Sequence, residues 1–279
     1  MSRRRPGGRP SWRRTAPALA VLVLAALVLA GALGPLLWHV DPNEVDIAPD
    51  AVLAAPSAHH PFGTDEAGRD WLARTLHGAR VSLAVGTAAM VVSVALGTLV
   101  GTLAGYFGGT VDAVLMRLVD VLVALPLFFV LLIAQSLLDP SALHVVWLVG
   151  ATSWMGVARL VRAEVLSVME MEYMTAARAL GVPHRARILR HVLPNVSGVI
   201  GVAATLSVGR CLLTEAALSF LGLGVPLPTA SWGNMLQSGM TMTQLAPWLV
   251  LFPGAFIVAT VFAINYIGEA LGRDETGRA

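Results

Sequence analysis

The stretch Tyr173–Pro194, YMTAARALGVPHRARILRHVLP, decides the fold of this chain, because it places an arginine-rich segment between two runs that are apolar enough to cross a membrane. Its first half predicts a short helix. Four residues at i, i+3, i+4 and i+7 lie on one face of this helix, and two of them have small side chains: Tyr173, Ala176, Ala177 and Leu180. Such a face lets the backbone of another protein approach closely, so we interpret the segment as a docking surface and not a catalytic one.

The rest of the stretch predicts where its helices begin and end. Gly181 suits a left-handed helix end. Pro183 favours the first turn of a second short helix that runs through Arg190, and Pro194 marks the start of the next apolar run. We therefore expect a bent connection on one side of the membrane, the elbow (residues 172–194).

The composition of the whole chain is that of a membrane protein. Hydrophobic residues make up 56% and charged residues 13% of the sequence, and the mean hydropathy is +0.72. Uncharged runs near or above the roughly 20 residues of a spanning helix are Thr15–Val40, Val81–Val111, Val121–Leu138 and Pro140–Ala158. Two more spans are predicted at about residues 192–221 and 245–270. The predicted fold class is an all-α polytopic membrane protein with six transmembrane helices.

Charge placement predicts the organisation and orientation of these spans. The predicted parts are a tail (1–15), a first span (16–40), an outer segment (41–80), a core of five spans (81–270) with the elbow loop at about 168–194, and a second tail (271–279). Arginines cluster before the first span, around the elbow and after the last span. Short arginine-rich loops stay in the cytoplasm, so we expect both termini and the elbow to be cytoplasmic and the outer segment to be outside.

Several classes of function are excluded by residues that the sequence lacks. All 19 basic residues are arginine, so there is no GxxxxGK[ST] phosphate-binding loop and the chain cannot be a P-loop ATPase itself. The single cysteine, Cys211, rules out an internal disulfide framework. There is no zinc-type Cys/His cluster, and we expect His59 and His60 to be solvated loop residues. We expect no catalytic residue, no metal, no bound cofactor and no nucleic-acid partner.

The elbow resembles the EAA loop of the permease subunits of ABC importers. Its matching elements are Ala176-Ala177, Gly181 and Leu193-Pro194. The sequence departs from the motif at Thr175, where an acid is usual and Glu172 lies one turn earlier, and at His191, where a branched apolar residue is common. In that family the loop forms a coupling helix in a groove of the ATPase subunit. The resemblance implies these coupling residues: Glu172, Tyr173, Ala176, Ala177, Leu180, Gly181, Leu193 and Pro194. From spacing alone, an ordinary amphipathic connector is the alternative.

Three further blocks are similar to the C-type permease subunit of the dipeptide and oligopeptide branch of that family. They are HPFGTDEAGRD (60–70), GYFGGTVDAVLMRLVD (105–120) and LSFLGLGVPLPTASWGNML (218–236). The resemblance implies a type I ABC importer permease in the bacterial cytoplasmic membrane. Its partners would be a second homologous permease, two ATP-binding subunits that carry ATP and Mg, an extracytoplasmic binding protein and membrane lipid. The implied substrates are di- or oligopeptides, with nickel or another small solute as the alternative.

Charged residues inside predicted spans are the candidates for the translocation path, because each costs on the order of 2.5 to 3.5 kcal/mol at the centre of a membrane helix. Arg210 and Glu215 qualify. An acid is common at the Glu215 position of the family, whereas the Arg210 position is usually small or apolar. Arg210 therefore either attracts a substrate carboxylate or meets a structural partner.

The outer segment holds a second group of candidates: Asp65, Glu66, Arg69 and Asp70. These acids and bases could pair to hold a short helix at the pore mouth or could receive a binding protein. A solvated turn without partners is the alternative. In the second span, Gly97, Gly101 and Gly105 form a stripe that predicts close helix packing.

Two other classes of function are left open by the residues. A secondary transporter would need coupling-ion groups near the membrane midplane, and beyond Arg210, Glu215 and Asp120 the chain offers few. A membrane scaffold or sensor would use the elbow to hold a partner without moving solute.

Overall fold

The protein is described by a computed structural model that covers residues 12–276, with side chains from Pro17 to Arg273. The arginines of residues 1–11 and Arg278, on which the predicted orientation partly rests, lie outside the described residues. The all-α prediction is confirmed, since every regular element from 12 to 276 is a helix. The helices are α1 (Trp12–Leu37), α2 (Trp71–Phe107), α3 (Gly109–Ala124), α4 (Leu127–Ser136), α5 (Ala142–Met169), α6 (Glu172–Ala179), α7 (His184–Arg187), α8 (Leu193–Phe220), α9 (Trp232–Met240) and α10 (Trp248–Thr276), with a π-helical segment at Ile188–Val192.

The spans lie approximately where the sequence predicts them, with differences at the limits of the second span and within the third. Five helices in the described range are long and apolar enough to cross a membrane. The predicted single helix at Val121–Leu138 is wrong, because α3 and α4 meet at a bend of 79° and form a sixth span only if the pair is counted together. Pro126 lies at the break and has no N–H for a continuous helix, and it forces Leu125 into extended backbone with ψ 142°.

Helix α2 begins at Trp71, well before the expected Val81. Asp70 caps it, because its side chain accepts a hydrogen bond of 2.7 Å from the backbone N–H of Ala73. Arg74 lies within the first turns and donates to the carbonyl of Pro42 at 3.0 Å. Arg80 ends the uncharged run in the sequence, but it is exposed and does not end the helix, which continues back to Trp71.

The glycine stripe on α2 packs against α5, as predicted. A Cβ added at Gly97 would lie 2.6 Å from Cβ of Val157, and one at Gly101 would lie 2.5 Å from the carbonyl oxygen of Ala158. Gly105 is similarly close to the backbone of Arg162, at 2.9 Å. The two helix backbones approach closely because these positions have no side chain.

We expect Gly101→Ala to destabilise the protein by about 1 to 3 kcal/mol, because the added methyl group meets a backbone oxygen that cannot move aside. The matched control is Gly201→Ala on α8, where an added Cβ has no atom within 4 Å. The control should be neutral or slightly stabilising, since alanine favours helix. Thermal unfolding in detergent measures both variants, and equal midpoints for the two would contradict the packing argument.

Two ion pairs hold α3 across the end of α5 that leads into the elbow. The guanidinium of Arg162 donates two hydrogen bonds to the carboxylate of Asp112. Arg159 lies 2.6 Å from Asp120 in the second pair. Asp120, which the sequence offered as a possible coupling-ion group, therefore already has an arginine partner.

Candidate functional site

Helix α6 is the first arm of the elbow. Its predicted docking face is partly buried against the protein core and partly exposed. Ala177 is 7% exposed and lies inward with Met174, which is fully buried. Tyr173, Ala176 and Leu180 are exposed. The prediction that all four small-face residues share one accessible surface is therefore wrong for Ala177. The reason is that Met174 and Ala177, three residues apart, form the side of α6 that meets the protein core.

Gly181 ends α6 as predicted. Its φ is +70°, in the region that favours glycine. The N–H of Gly181 donates to the carbonyl of Arg178, and the N–H of Val182 donates to the carbonyl of Ala177, both at 3.1 Å. This pair of bonds is a Schellman motif, which satisfies the last carbonyls of the helix and reverses the chain. Leu180 is left 82% exposed at the tip of the elbow.

The second arm of the elbow does not stop at Arg190, contrary to the sequence prediction. Helix α7 continues through the π-segment into α8, so residues His184–Phe220 form one helix of 37 residues. Pro194 would collide with the carbonyl of Arg190 in a regular α-helix. The wider π turn, in which the N–H of Leu193 donates to the carbonyl of Ile188, lets the helix pass this proline. The second arm of the elbow is thus a direct extension of a membrane span.

The accessible surface of the elbow combines large apolar side chains with arginines. Leu180 and Leu189 are 82% and 63% exposed, and Tyr173 is 42% exposed. Arg185 and Arg190 are also exposed. Exposed large apolar side chains together with arginines are typical of a protein interaction site.

The two charged residues of α8 do not form a pair. Arg210 is exposed and lies beside Gly156 of α5, where an added Cβ would be 3.4 Å from its Nη1. No ion pair of Arg210 is found among residues 17–273. An arginine without an ion-pair partner among the described residues is available to a ligand or to another subunit.

Glu215 lies where α8 meets α2 and the start of α9. It is fully buried, and Ser219 on the same helix donates to its Oε1 at 2.7 Å. The side chains of Ser82 on α2 and Ser231 before α9 also lie close to this carboxyl group. Sequence reasoning missed these serines, because nothing in the local sequence relates residue 82 to residues 215 and 231. Ser219 thus holds Oε1, whereas Oε2 is buried without a hydrogen-bond partner among the described residues.

Two grooves in the described part of the chain are lined mainly by apolar side chains. One of about 850 Å³ lies between α1, α2 and α8. The other, of about 630 Å³, lies between α2 and the start of α8. Neither is lined by Arg210 or Glu215. A site for a polar solute needs several convergent polar groups, so these grooves do not form a pathway for one.

The cap (residues 38–70) is organised by Asp65. This side chain is fully buried, and its Oδ1 accepts hydrogen bonds from the backbone N–H groups of Ala67 and Arg69 at 2.9 and 3.0 Å. Its Oδ2 accepts from Nε of Arg69 at 2.7 Å. Glu66 is 40% exposed and lies 4.0 Å from Arg69. The alternative of a solvated turn without partners is therefore wrong for Asp65 and Arg69, while Glu66 faces solvent.

Asp70 joins the cap to the membrane helices. Besides capping α2, it accepts a hydrogen bond from Nε1 of Trp38 at 3.2 Å, and its Oδ2 lies 2.8 Å from Nδ1 of His60. His60 lies in a loop with 37% of its side chain exposed, and Asp70 also holds its ring. One carboxylate thus fixes the end of α1, the start of α2 and the loop between them.

Comparison with known proteins connects these features to a family. Residues 97–274 match the family described as "Binding-protein-dependent transport system inner membrane component". The chain is 38% identical to the oligopeptide transport system permease protein OppC of Haemophilus influenzae over 262 residues, which cover 93% of this chain and 84% of that protein. It is 41% identical to OppC of Escherichia coli K12 over 93% of this chain and 85% of that protein. A putative peptide permease protein of Brucella suis is 41% identical over 90% of this chain and 83% of its own length.

Proposed function

Because the chain belongs to the family of binding-protein-dependent transport system inner membrane components, we propose that it is a permease subunit of an ATP-driven importer of oligopeptides. The relatives are oligopeptide or peptide permeases of bacteria, and the chain is aligned with them over about nine tenths of its length. It is a multi-pass protein of the bacterial inner membrane with a transport role. Peptides are its proposed substrates, and nickel or another small solute is the alternative.

The elbow is the proposed point at which separate ATPase subunits drive this chain. The observation that carries the proposal is the continuous helix His184–Phe220, which joins the accessible elbow to a membrane span without a break. When ATP closes the ATPase subunits, a groove that holds Tyr173, Ala176 and Leu180 would carry the elbow with it. The attached span would then move as one body, which favours rocking between inward-open and outward-open states.

The complete pathway is proposed to lie between this chain and a second permease. The two grooves described above are mainly apolar and do not include Arg210 or Glu215. The exposed Arg210 would therefore face the partner subunit or the space shared with it. An external binding protein would deliver peptide at the side of the cap, where Glu66 is one of several exposed acids, with Asp41, Glu44, Asp46 and Asp50.

The proposal is tested by purifying a tagged form of this chain from its native membrane and identifying by mass spectrometry the proteins that accompany it. We expect two ATPase subunits, a second permease and a binding protein. Proteoliposomes of this complex should accumulate peptide only with ATP and the binding protein. Uptake of a nickel chelate in place of peptide would select the alternative substrate. Uptake by the chain alone, without ATP, would establish a secondary transporter and overturn the proposal.

We expect Arg210→Gln to weaken transport of peptides with a free C-terminal carboxylate by about 10- to 100-fold, because a hydrogen bond to a charged group contributes about 1.5 to 3 kcal/mol. C-terminally amidated peptides should lose much less. The measurement is the concentration dependence of uptake for both peptides in wild type and variant. Equal losses for the two peptides would show that Arg210 has a structural partner instead.

A further inference from the structure

Tyr106 lies where the last turn of α2 meets the elbow. It is the residue before the end of α2 and is 6% exposed. Its side chain belongs to a buried cluster that includes Met174 of α6, Val165 of α5 and Val192 of the π-segment. The ring is therefore fixed by packing against both arms of the elbow.

The hydroxyl of Tyr106 reaches the first residue of the second arm. Its oxygen lies 2.9 Å from Nδ1 of His184. Nη2 of Arg187 lies 3.3 Å from the same Nδ1, and a guanidinium can only donate. We therefore assign Nδ1 as the acceptor and the hydroxyl of Tyr106 as its donor. The bond joins two residues that are 78 positions apart in the sequence.

Ring contacts strengthen the same junction. The guanidinium carbon of Arg187 lies 5.7 Å from the centre of the Tyr106 ring, within the range of a cation–π contact. Phe107 lies 5.8 Å from the ring of His184, and the rings of Tyr106 and His184 meet edge to face at 5.7 Å. The last two residues of α2 thus hold the first turn of α7 on two sides.

We propose that Tyr106 is a positioning residue that transmits movement of the elbow to α2. The inference rests on the proposed function of the elbow. The chain itself connects the elbow only to α5 and α8, whereas the hydrogen bond to His184 adds a third connection, to a helix about 55 Å long. The opposite end of α2 is capped by Asp70, which also holds Trp38 and the ring of His60. Movement at the elbow therefore reaches the cap along one helix.

The test replaces Tyr106 with phenylalanine, which removes the hydroxyl and keeps the ring. His184 is exposed, so water replaces the lost partner and the fold is retained. In proteoliposomes of the full complex, the number of ATP molecules hydrolysed per peptide imported should rise about three- to tenfold, the factor to which one ordinary hydrogen bond corresponds. The matched control is Tyr266→Phe on α10, which should leave this ratio unchanged.

A second pair of variants separates the hydrogen bond from general packing. His184→Asn keeps an acceptor near the position of Nδ1 and should couple better than His184→Leu, which loses the bond and also the ring contacts with Tyr106 and Phe107. The double variant Tyr106→Phe with His184→Leu should be no worse than His184→Leu alone, because the bond is already absent there. Additive losses, or a normal ratio in Tyr106→Phe, would overturn the inference. Failure of the wild-type complex to couple ATP to uptake would instead refute the proposed function.

Discussion

Replacing Ala176 with tryptophan is expected to reduce peptide uptake at least tenfold while the complex still assembles in the membrane. Ala176 is exposed on α6 beside Tyr173 and Leu180. A surface substitution of this kind changes stability by about 0.5 kcal/mol or less, but the indole would fill the space into which the ATPase surface is proposed to fit. ATP hydrolysis should continue without import. Uptake and hydrolysis are measured together in proteoliposomes.

The neighbouring alanine provides the contrast that makes this test specific. Ala177 lies inward against the core at 7% exposure, so Ala177→Trp should overpack it, at a cost of about 1 to 3 kcal/mol or more. That variant should lower the yield of folded protein. Ala176→Ser, which adds one oxygen, serves as the control with normal uptake. If Ala176→Trp imports peptide normally, α6 is not the surface that receives the ATPase.

Asp65→Ala is expected to give the largest loss of stability among substitutions in the cap. The change leaves the guanidinium of Arg69, which is 19% exposed, without its carboxylate, and frees two backbone N–H groups. Removing one member of a buried pair costs about 3 to 5 kcal/mol. The partial exposure of Arg69 places the expected value near the lower limit. The readouts are thermal unfolding in detergent and the amount of protein in the membrane.

Glu66→Ala is the matched control, since this acid is adjacent in sequence but exposed and 4.0 Å from Arg69. An exposed pair contributes about 0 to 1 kcal/mol, so stability should hardly change. If Glu66 contacts the binding protein, Glu66→Ala should reduce uptake at low concentrations of that protein without altering unfolding. Equal stability of the Asp65 and Glu66 variants would show that the buried carboxylate does not organise the cap.

Turn residues explain which parts of the elbow could be predicted. Gly181 was correctly placed because a left-handed helix end is a local requirement that glycine meets at little cost. Pro126 is an equally local signal for the break between α3 and α4, but the length of the uncharged run alone does not predict that break. Pro194 is the opposite case, because it predicts a helix break that the structure does not show. A π turn lets the helix continue past this proline, and the sequence contains no clear signal for that turn.

Contacts between distant residues could not be predicted in the same way. The bond from Tyr106 to His184 and the serines around Glu215 join segments on different helices. Each residue is ordinary in its local sequence. Asp65 was singled out as a candidate, but its burial depends on how the whole cap folds back over Arg69.

The sequence by itself determined the membrane class, the approximate spans and the position of the elbow, because hydropathy, arginine placement and turn residues act over a few neighbouring positions. The tertiary structure decided which side of each helix meets protein. Lipid is as apolar as a protein core, so a spanning helix has little hydrophobic contrast between its buried and its lipid-facing sides. Ala176 and Ala177 illustrate this division at the elbow. They are identical neighbours in the sequence, and only the packing of α6 against the core makes one exposed and the other buried.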